Sequence, residues 1–326
     1  MKNRLRRPLH NMDSAALQKL AERHRAMRET GVALLVSSGV LALFLFIPLA
    51  PKPAATPAIT VASSTAPDAF AKISIDAKAA IVYDLATGET LYAKNADAQL
   101  PLASLTKLLT VYAAFTELAP TTPITIPALA TTVDAPRAFN AGQIFTLADL
   151  ARLTLTASLN DGAVAIAQAT AERENRDQTQ MLASAASALA LSQTYAVNGS
   201  GLDVSPAVSG GYGSARDLAR LAGALVETAP EVAVATSRDS ASATSEGGTS
   251  FTVKNTDPLV GALPRLLLSK TGYTDLAGGN LALVFDAGIG HPIAVVVLGS
   301  SKEARFTDGS ALVSATLAHF AGIASL

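Results

Sequence analysis

The chain has 326 residues, 49% hydrophobic and 16% charged, with four histidines, no Cys, no Trp and a net charge of −1. This length can bury a sizeable core in one or two domains, and the near-neutral charge and scarce aromatics give no nucleic-acid surface. Without Cys there are no thiol nucleophiles, disulfides or thiolate metal sites, and a metal cluster or Ser-His-Asp triad would have to rest on His291 or His319 alone, neither of which lies in a motif.

The first 30 residues carry eight basic side chains against three acidic ones, a local charge of +5. Residues 31–50, GVALLVSSGVLALFLFIPLA, contain no charge. As a helix they would rise about 30 Å, the thickness of a bilayer core. The expectation is a single-pass signal-anchor with its basic N-terminus cytoplasmic and the rest of the chain outside. A cleaved signal peptide is the alternative. The long basic leader, the long apolar run and Pro51 after Ala50 favour an uncleaved anchor. Residues 51–69 are rich in Pro, Ala, Ser and Thr and read as a semi-extended linker. Residues 70–326 read as the folded domain.

Within that domain, 79–84 and 89–94 read as strands around a Gly88 turn. A helix is predicted from Ser104 to Leu118 after Pro101. Residues 120–145 should form short strands and loops. Helical spacing predicts helices over 145–155, 162–172 and 177–191, and from Ser214, a plausible N-cap. Residues 198–203 read as loop. Strands are predicted at 251–254, 265–269, 280–285 and 292–298, with a turn at Gly288–Gly290, before a last helix over 308–320. Strands therefore open and close the domain and helices fill its middle. That order predicts an α+β fold, with one antiparallel sheet built from both chain ends and a helical middle subdomain.

Three strings carry chemistry: Ser104-Leu-Thr-Lys107, Ser158-Leu-Asn160 and Lys270-Thr-Gly272. Each alone has a bland explanation as a cap, a surface lysine or a strand end. Together, in this order, they supply a serine nucleophile with lysine as its base. Ser104 and Lys107 are three residues apart and share a helix face. Burial and nearby positive charge, such as that of Lys270, would keep Lys107 neutral enough to take a proton.

The strings resemble those of the D-alanyl-D-alanine carboxypeptidases, low-molecular-mass penicillin-binding proteins of serine peptidase family S11. The likeness extends to Leu102–Lys107, Ser158–Asp161, Asn198–Leu202, Ser214–Asp217, Asn255-Thr256 and Lys270–Thr274, and covers about residues 73–323. It implies a β-lactamase/transpeptidase-like fold, no metal or organic cofactor, and a peptidoglycan stem peptide ending in D-Ala-D-Ala as substrate. It also implies β-lactams as covalent inhibitors. Ser104 would be the nucleophile and Lys107 the base. Ser158 would relay a proton to the leaving D-alanine, with Asn160 orienting Lys107 and the substrate amide. Lys270 would tune the electrostatics, and Thr271 and Arg305 would hold the terminal carboxylate. Gly272 completes the third motif, and the N–H groups of Ser104 and Tyr273 would form the oxyanion hole. Leu159 stands where the family commonly has glycine, so its side chain is expected to narrow the cleft. Many members of the family carry a further β-rich domain and a membrane-docking tail after the last helix; the expectation here is that residues 31–50 do the anchoring instead. A D,D-endopeptidase, a β-lactamase and an inactive wall-binding domain share these motifs and stay open. A β-lactamase needs a deacylating glutamate, for which only Glu172 and Glu174 at a helix end are at hand.

Overall fold

The computed structural model describes residues 19, 22–31, 68–288 and 290–322. The chain divides into two units, 1–63 and 64–326. In the first, residues 22–31 are helical and exposed. The predicted membrane span lies, apart from Gly31, outside the described residues, as does the linker up to Pro67. Among the described residues, no helix is long and apolar enough to cross a membrane. The folded unit begins slightly before the predicted boundary, because Ala69 is already fully buried in its core.

The second unit is built on an antiparallel sheet from both chain ends, as predicted. Strand β1 (Ala79–Asp84) pairs with β2 (Thr90–Lys94) on one side and with the last strand, β12 (Pro292–Ser300), on the other. Beyond β12 lie β11 (Gly278–Asp286) and, at the edge, β10 (Leu266–Thr274). β11 and β12 read as continuous apolar runs rather than alternating ones because both sheet faces are covered. Ile81, Val284 and Val296 point into a core shared with the helical middle, whereas Val82, Leu283 and Val295 point to the other face, against Leu312 and Val313 of the C-terminal helix. That helix, α7 (Ala304–Phe320), starts four residues before the predicted Asp308. The β11–β12 turn is held by the Asp286 carboxylate, which accepts from the backbone N–H groups of Gly288, Gly290 and His291.

The middle of the chain supplies α1 (Thr106–Glu117), α2 (Leu147–Ala157), α3 (Asn160–Glu174), α4 (Gln178–Ala188), α5 (Ala215–Thr228) and the short α6 (Pro230–Ala235). Thr146, Asp177 and Ser214 cap α2, α4 and α5 by accepting from the N–H three residues on. Several elements went unpredicted, α6 among them. β8 (Ser240–Thr244), the partner of β9 (Ser250–Lys254), alternates only alanine with Ser and Thr, too small an apolar contrast to read as a strand. The small sheet of β3 (Leu100–Pro101), β7 (Gly211–Gly213) and β6 (Tyr195–Ala196) consists of strands too short to show a period.

Candidate active site

The predicted helix does not start at Ser104. Ala103–Leu105 form a 3₁₀ turn ahead of α1, entered through Ala103 at φ 48°. That conformation is costly for a residue with a Cβ and persists only where neighbours enforce it. Here Gly201 is the neighbour, since a Cβ on it would lie 1.9 Å from the Ala103 carbonyl oxygen. The turn leaves Ser104 half-buried and sets Lys107 in the first turn of α1, where it is fully buried.

Lys107 Nζ has three partners: Ser104 Oγ at 2.9 Å, Asn160 Oδ1 at 2.7 Å and the Ser200 carbonyl at 2.7 Å. The Asn160 amide orientation follows from its other end, which donates to the carbonyls of Asp134 and Ala135. Asn160 Oδ1 and the Ser200 carbonyl can only accept, so a neutral Lys107 spends its two N–H groups there. Its lone pair then faces Ser104 Oγ, whose O–H can donate to it. The amine is thereby oriented as a base towards the nucleophile. Ser200 belongs to the Asn198–Leu202 string, but its backbone role carried no sequence signal of its own.

Ser158 caps α2 in the left-handed region, at φ 58°, which turns its side chain from the α2 axis towards the sheet. Lys270 Nζ donates to Ser158 Oγ at 2.8 Å and to the Thr271 carbonyl at 2.8 Å. Leu159, between the two polar residues, is 4% exposed and packs in the main hydrophobic core. The expectation that it narrows the cleft is therefore wrong: the left-handed turn at Ser158 reverses the chain and points Leu159 inwards.

Lys270, Thr271 and Gly272 lie inside β10 rather than at the end of a strand, which extends to Thr274. A Cβ on Gly272 would stand 3.0 Å from the Leu102 carbonyl and 3.3 Å from the backbone nitrogens of Ser104 and Leu105. Glycine thus lets the edge strand close on the nucleophile turn. Arg305, in the first turn of α7, donates to the Gly272 carbonyl at 2.6 Å. Tyr273 is 43% exposed, with Lys302 Nζ 5.3 Å from its ring centroid. All nine predicted site residues are brought to this one region of the fold.

Burial pushes Lys107 down to about 7, against the opposing pull of the Asp161 carboxylate. Lys270 lies well below its ordinary range, first through burial and then through the positive charges of Lys107 and Arg305; Asp257 opposes the fall. Burial also lowers Arg305. Burial, the first expected cause, leads for Lys107; the expected charge of Lys270 is not among the causes there, and the repulsion falls on Lys270 instead. Two lysines in one dry cleft resist holding two protons at once. Among the described residues Arg305 has no salt-bridge partner, so its guanidinium is the cation that the β10 side of the cleft offers to an incoming anion. Among the described residues no group of His, Asp and Glu is placed to hold a metal ion. A groove of about 500 Å³ lined by Arg152, Glu231 and Arg238 includes none of the motif residues.

Residues 62–302 match the family described as D-alanyl-D-alanine carboxypeptidase, peptidase S11. The chain belongs to this family. Its members are serine D,D-peptidases, and the mixed helix and antiparallel-sheet architecture agrees with that placement. The chain is 28% identical to a D-alanyl-D-alanine endopeptidase of Pseudomonas aeruginosa over 72% of its length and 74% of the relative's. Among solved structures it is similar to penicillin-binding protein D2 of Listeria monocytogenes in its ampicillin-bound form. That likeness has 29% identity and a TM-score of 0.64, and covers 75% of this chain and 98% of that one. The D-alanyl-D-alanine carboxypeptidase of Mycobacterium tuberculosis shares the fold, with a TM-score of 0.65 at 24% identity over 76% of this chain and 92% of that one.

Proposed function

We propose that this protein is a D-Ala-D-Ala carboxypeptidase that removes the terminal D-alanine from peptidoglycan stem peptides. The observation that carries the reading is the orientation of Lys107: fully buried, its donors taken by Asn160 and Ser200, and its remaining face on Ser104 Oγ. Ser104 Oγ attacks the carbonyl carbon of the penultimate D-alanine and its proton passes to Lys107 Nζ. The N–H groups of Ser104 and Tyr273 hold the developing oxyanion. The C–N bond then breaks, and the leaving amine takes a proton through Ser158, which Lys270 holds in place. Thr271 and Arg305 meet the terminal carboxylate of the substrate, and Asn160 also orients its amide. Water finally hydrolyses the Ser104 ester. No step calls for a metal or organic cofactor.

β-Lactams mimic the acyl-D-Ala-D-Ala end and would acylate Ser104; the likeness to an ampicillin-bound penicillin-binding protein supports this. Such a substrate lies outside the cytoplasm, in keeping with a membrane anchor at 31–50 and a catalytic unit in the periplasm or cell-wall zone. A D,D-endopeptidase that cuts wall crosslinks is the second reading, favoured by the name of the Pseudomonas relative. A β-lactamase is disfavoured: Glu172 and Glu174 sit at the far end of α3, roughly 18 and 21 Å along its axis from Asn160. The test is to incubate the protein with a stem pentapeptide and, separately, with crosslinked muropeptides. Free D-alanine from the pentapeptide is the expected result. Cleavage confined to the crosslinked substrate would replace this reading with the second one.

A further inference from the structure

Thr256 ties the two sides of the cleft together. Its neighbours fasten it in place. Asn255, just after β9, donates from its side-chain amide to the carbonyls of Thr236 and Arg238, and from its own N–H to the Asp239 carbonyl. On the other side, Asp257 accepts from Ser269 Oγ on β10 at 2.5 Å. Between these anchors, the Thr256 N–H donates to the Thr156 carbonyl at 3.2 Å, in the last turn of α2 and two residues before Ser158. Carbonyls of a last turn have no partner within the helix, so this bond supplies one. The Thr256 hydroxyl lies 2.6 Å from that of Thr271, in the third motif. Among the described residues the two hydroxyls have only each other as hydrogen-bond partners.

We propose that Thr256 is a positioning residue for substrate specificity: its hydroxyl donates to Thr271 Oγ1 and so turns the Thr271 proton towards the terminal carboxylate of the substrate. The proposal rests on the reading of Thr271 as a carboxylate contact given above. A hydroxyl has one proton to give, and a carboxylate can only accept. If Thr271 donated to Thr256, it would meet the carboxylate with a lone pair, and the two would repel. Contact with the carboxylate therefore requires Thr271 to accept from Thr256. That requirement fixes the direction of a bond in which either oxygen could donate. Thr271 is 4% exposed, so solvent has little access to orient its hydroxyl instead. Thr256 is exposed, and water can satisfy its own lone pairs. The bond also fixes the χ1 angle of Thr271, whose methyl group could otherwise take the place of its hydroxyl. Two hydrogen bonds in series strengthen one another, and the one that ends on the carboxylate is charge-assisted.

The test gives the full-length protein two reactive substrates that differ only in the group Thr271 is to meet: an acyl-D-alanyl thioester of thioglycolic acid, and the same thioester of thioglycolamide. Thr256→Val keeps the shape and the backbone N–H but removes the hydroxyl. It should lower kcat/KM for the carboxylate substrate about three- to tenfold, the worth of one net hydrogen bond, and that for the carboxamide by less than about twofold. Thr256→Ser keeps a hydroxyl and should match the unaltered protein on both substrates. In a Thr271→Val background, Thr256→Val should cost nothing further. Equal losses on the two substrates overturn the proposal, because Thr256 would then serve only to hold the turn at Thr156. So does an undiminished rate of Thr256→Val on the carboxylate substrate, or a Thr256→Ser protein as impaired as Thr256→Val; the serine variant decides the matter even if the valine variant does not fold. Failure of the underlying reading is separately visible in the unaltered protein, as equal kcat/KM for the carboxylate and the carboxamide.

Discussion

Lys270 Nζ donates to Ser158 Oγ across 2.8 Å, although 112 residues separate the two in the chain. The bond joins the edge strand of the sheet to the turn between α2 and α3, and so joins the two lobes that line the cleft. It also distributes the work: Lys107 addresses Ser104, and Lys270 addresses Ser158. We predict that Ser158→Ala lowers the acylation rate by about 100- to 10,000-fold, the usual contribution of a positioned proton relay. Stopped-flow acylation by a penicillin measures this. A loss below tenfold would remove Ser158 from the proton path.

Ser104→Ala is expected to abolish covalent labelling by a fluorescent penicillin while the protein stays folded, since Ser104 is half-buried and caps no helix through its side chain. Denaturing gel fluorescence checks it. Persistent labelling in that variant moves the nucleophile elsewhere.

The pH dependence of the same reaction follows from Lys107. Its ammonium is pushed down to about 7 by burial, so the free base forms as pH rises through that value. The acylation rate of the unaltered protein should therefore climb between about pH 6 and 8. A rate that is flat over that range would mean that another group takes the proton of Ser104.

The strings that carry the chemistry were legible because each is local. Three residues fix the spacing of Ser104 and Lys107, and helical spacing alone places them on one face. The sheet from both chain ends was legible in the apolar runs of β11 and β12, which are covered on both faces. The supporting groups were not. Ser158 adopts a left-handed turn that its sequence does not demand, and that turn is what buries Leu159. The Ser200 carbonyl reaches Lys107 only after the chain has folded back over 93 residues. Asp257 resembles any polar loop residue until β10 is laid against it. Long-range packing decides these positions, and no local period encodes it.

Two glycines separate stability from activity. Gly201→Ala would place a Cβ 1.9 Å from the Ala103 carbonyl, at φ +76°, so the nucleophile turn itself must shift. It should destabilise the protein by about 1–3 kcal/mol and lose acylation as well. Gly272→Ala meets its nearest atom at 3.0 Å in an ordinary strand conformation. It should melt close to the unaltered protein yet acylate at least about tenfold more slowly, because a slight retreat of β10 withdraws it from Ser104. Thermal melts paired with acylation rates check both. A Gly272→Ala protein with full activity would show that the close approach of β10 serves packing alone.

The lysine that acts as base should also leave a signature in stability. An unfolded lysine titrates near 10.4, whereas Lys107 in the fold titrates near 7. Between those values the unfolded chain binds more protons than the folded one, so this group makes stability rise with pH. Its penalty is fully present below about pH 7 and disappears above the unfolded value. The span corresponds to something on the order of 4 kcal/mol, undiminished by solvent because the side chain is fully buried. Lys107→Met removes the titration together with three hydrogen bonds, so its absolute stability is not the informative quantity. The difference is: measured by urea unfolding at pH 6.5 and pH 9.5, the unaltered protein should gain on the variant by several kcal/mol as pH rises. A gap that stays constant would mean that Lys107 keeps its proton in the folded state, and the base would have to be sought in another residue.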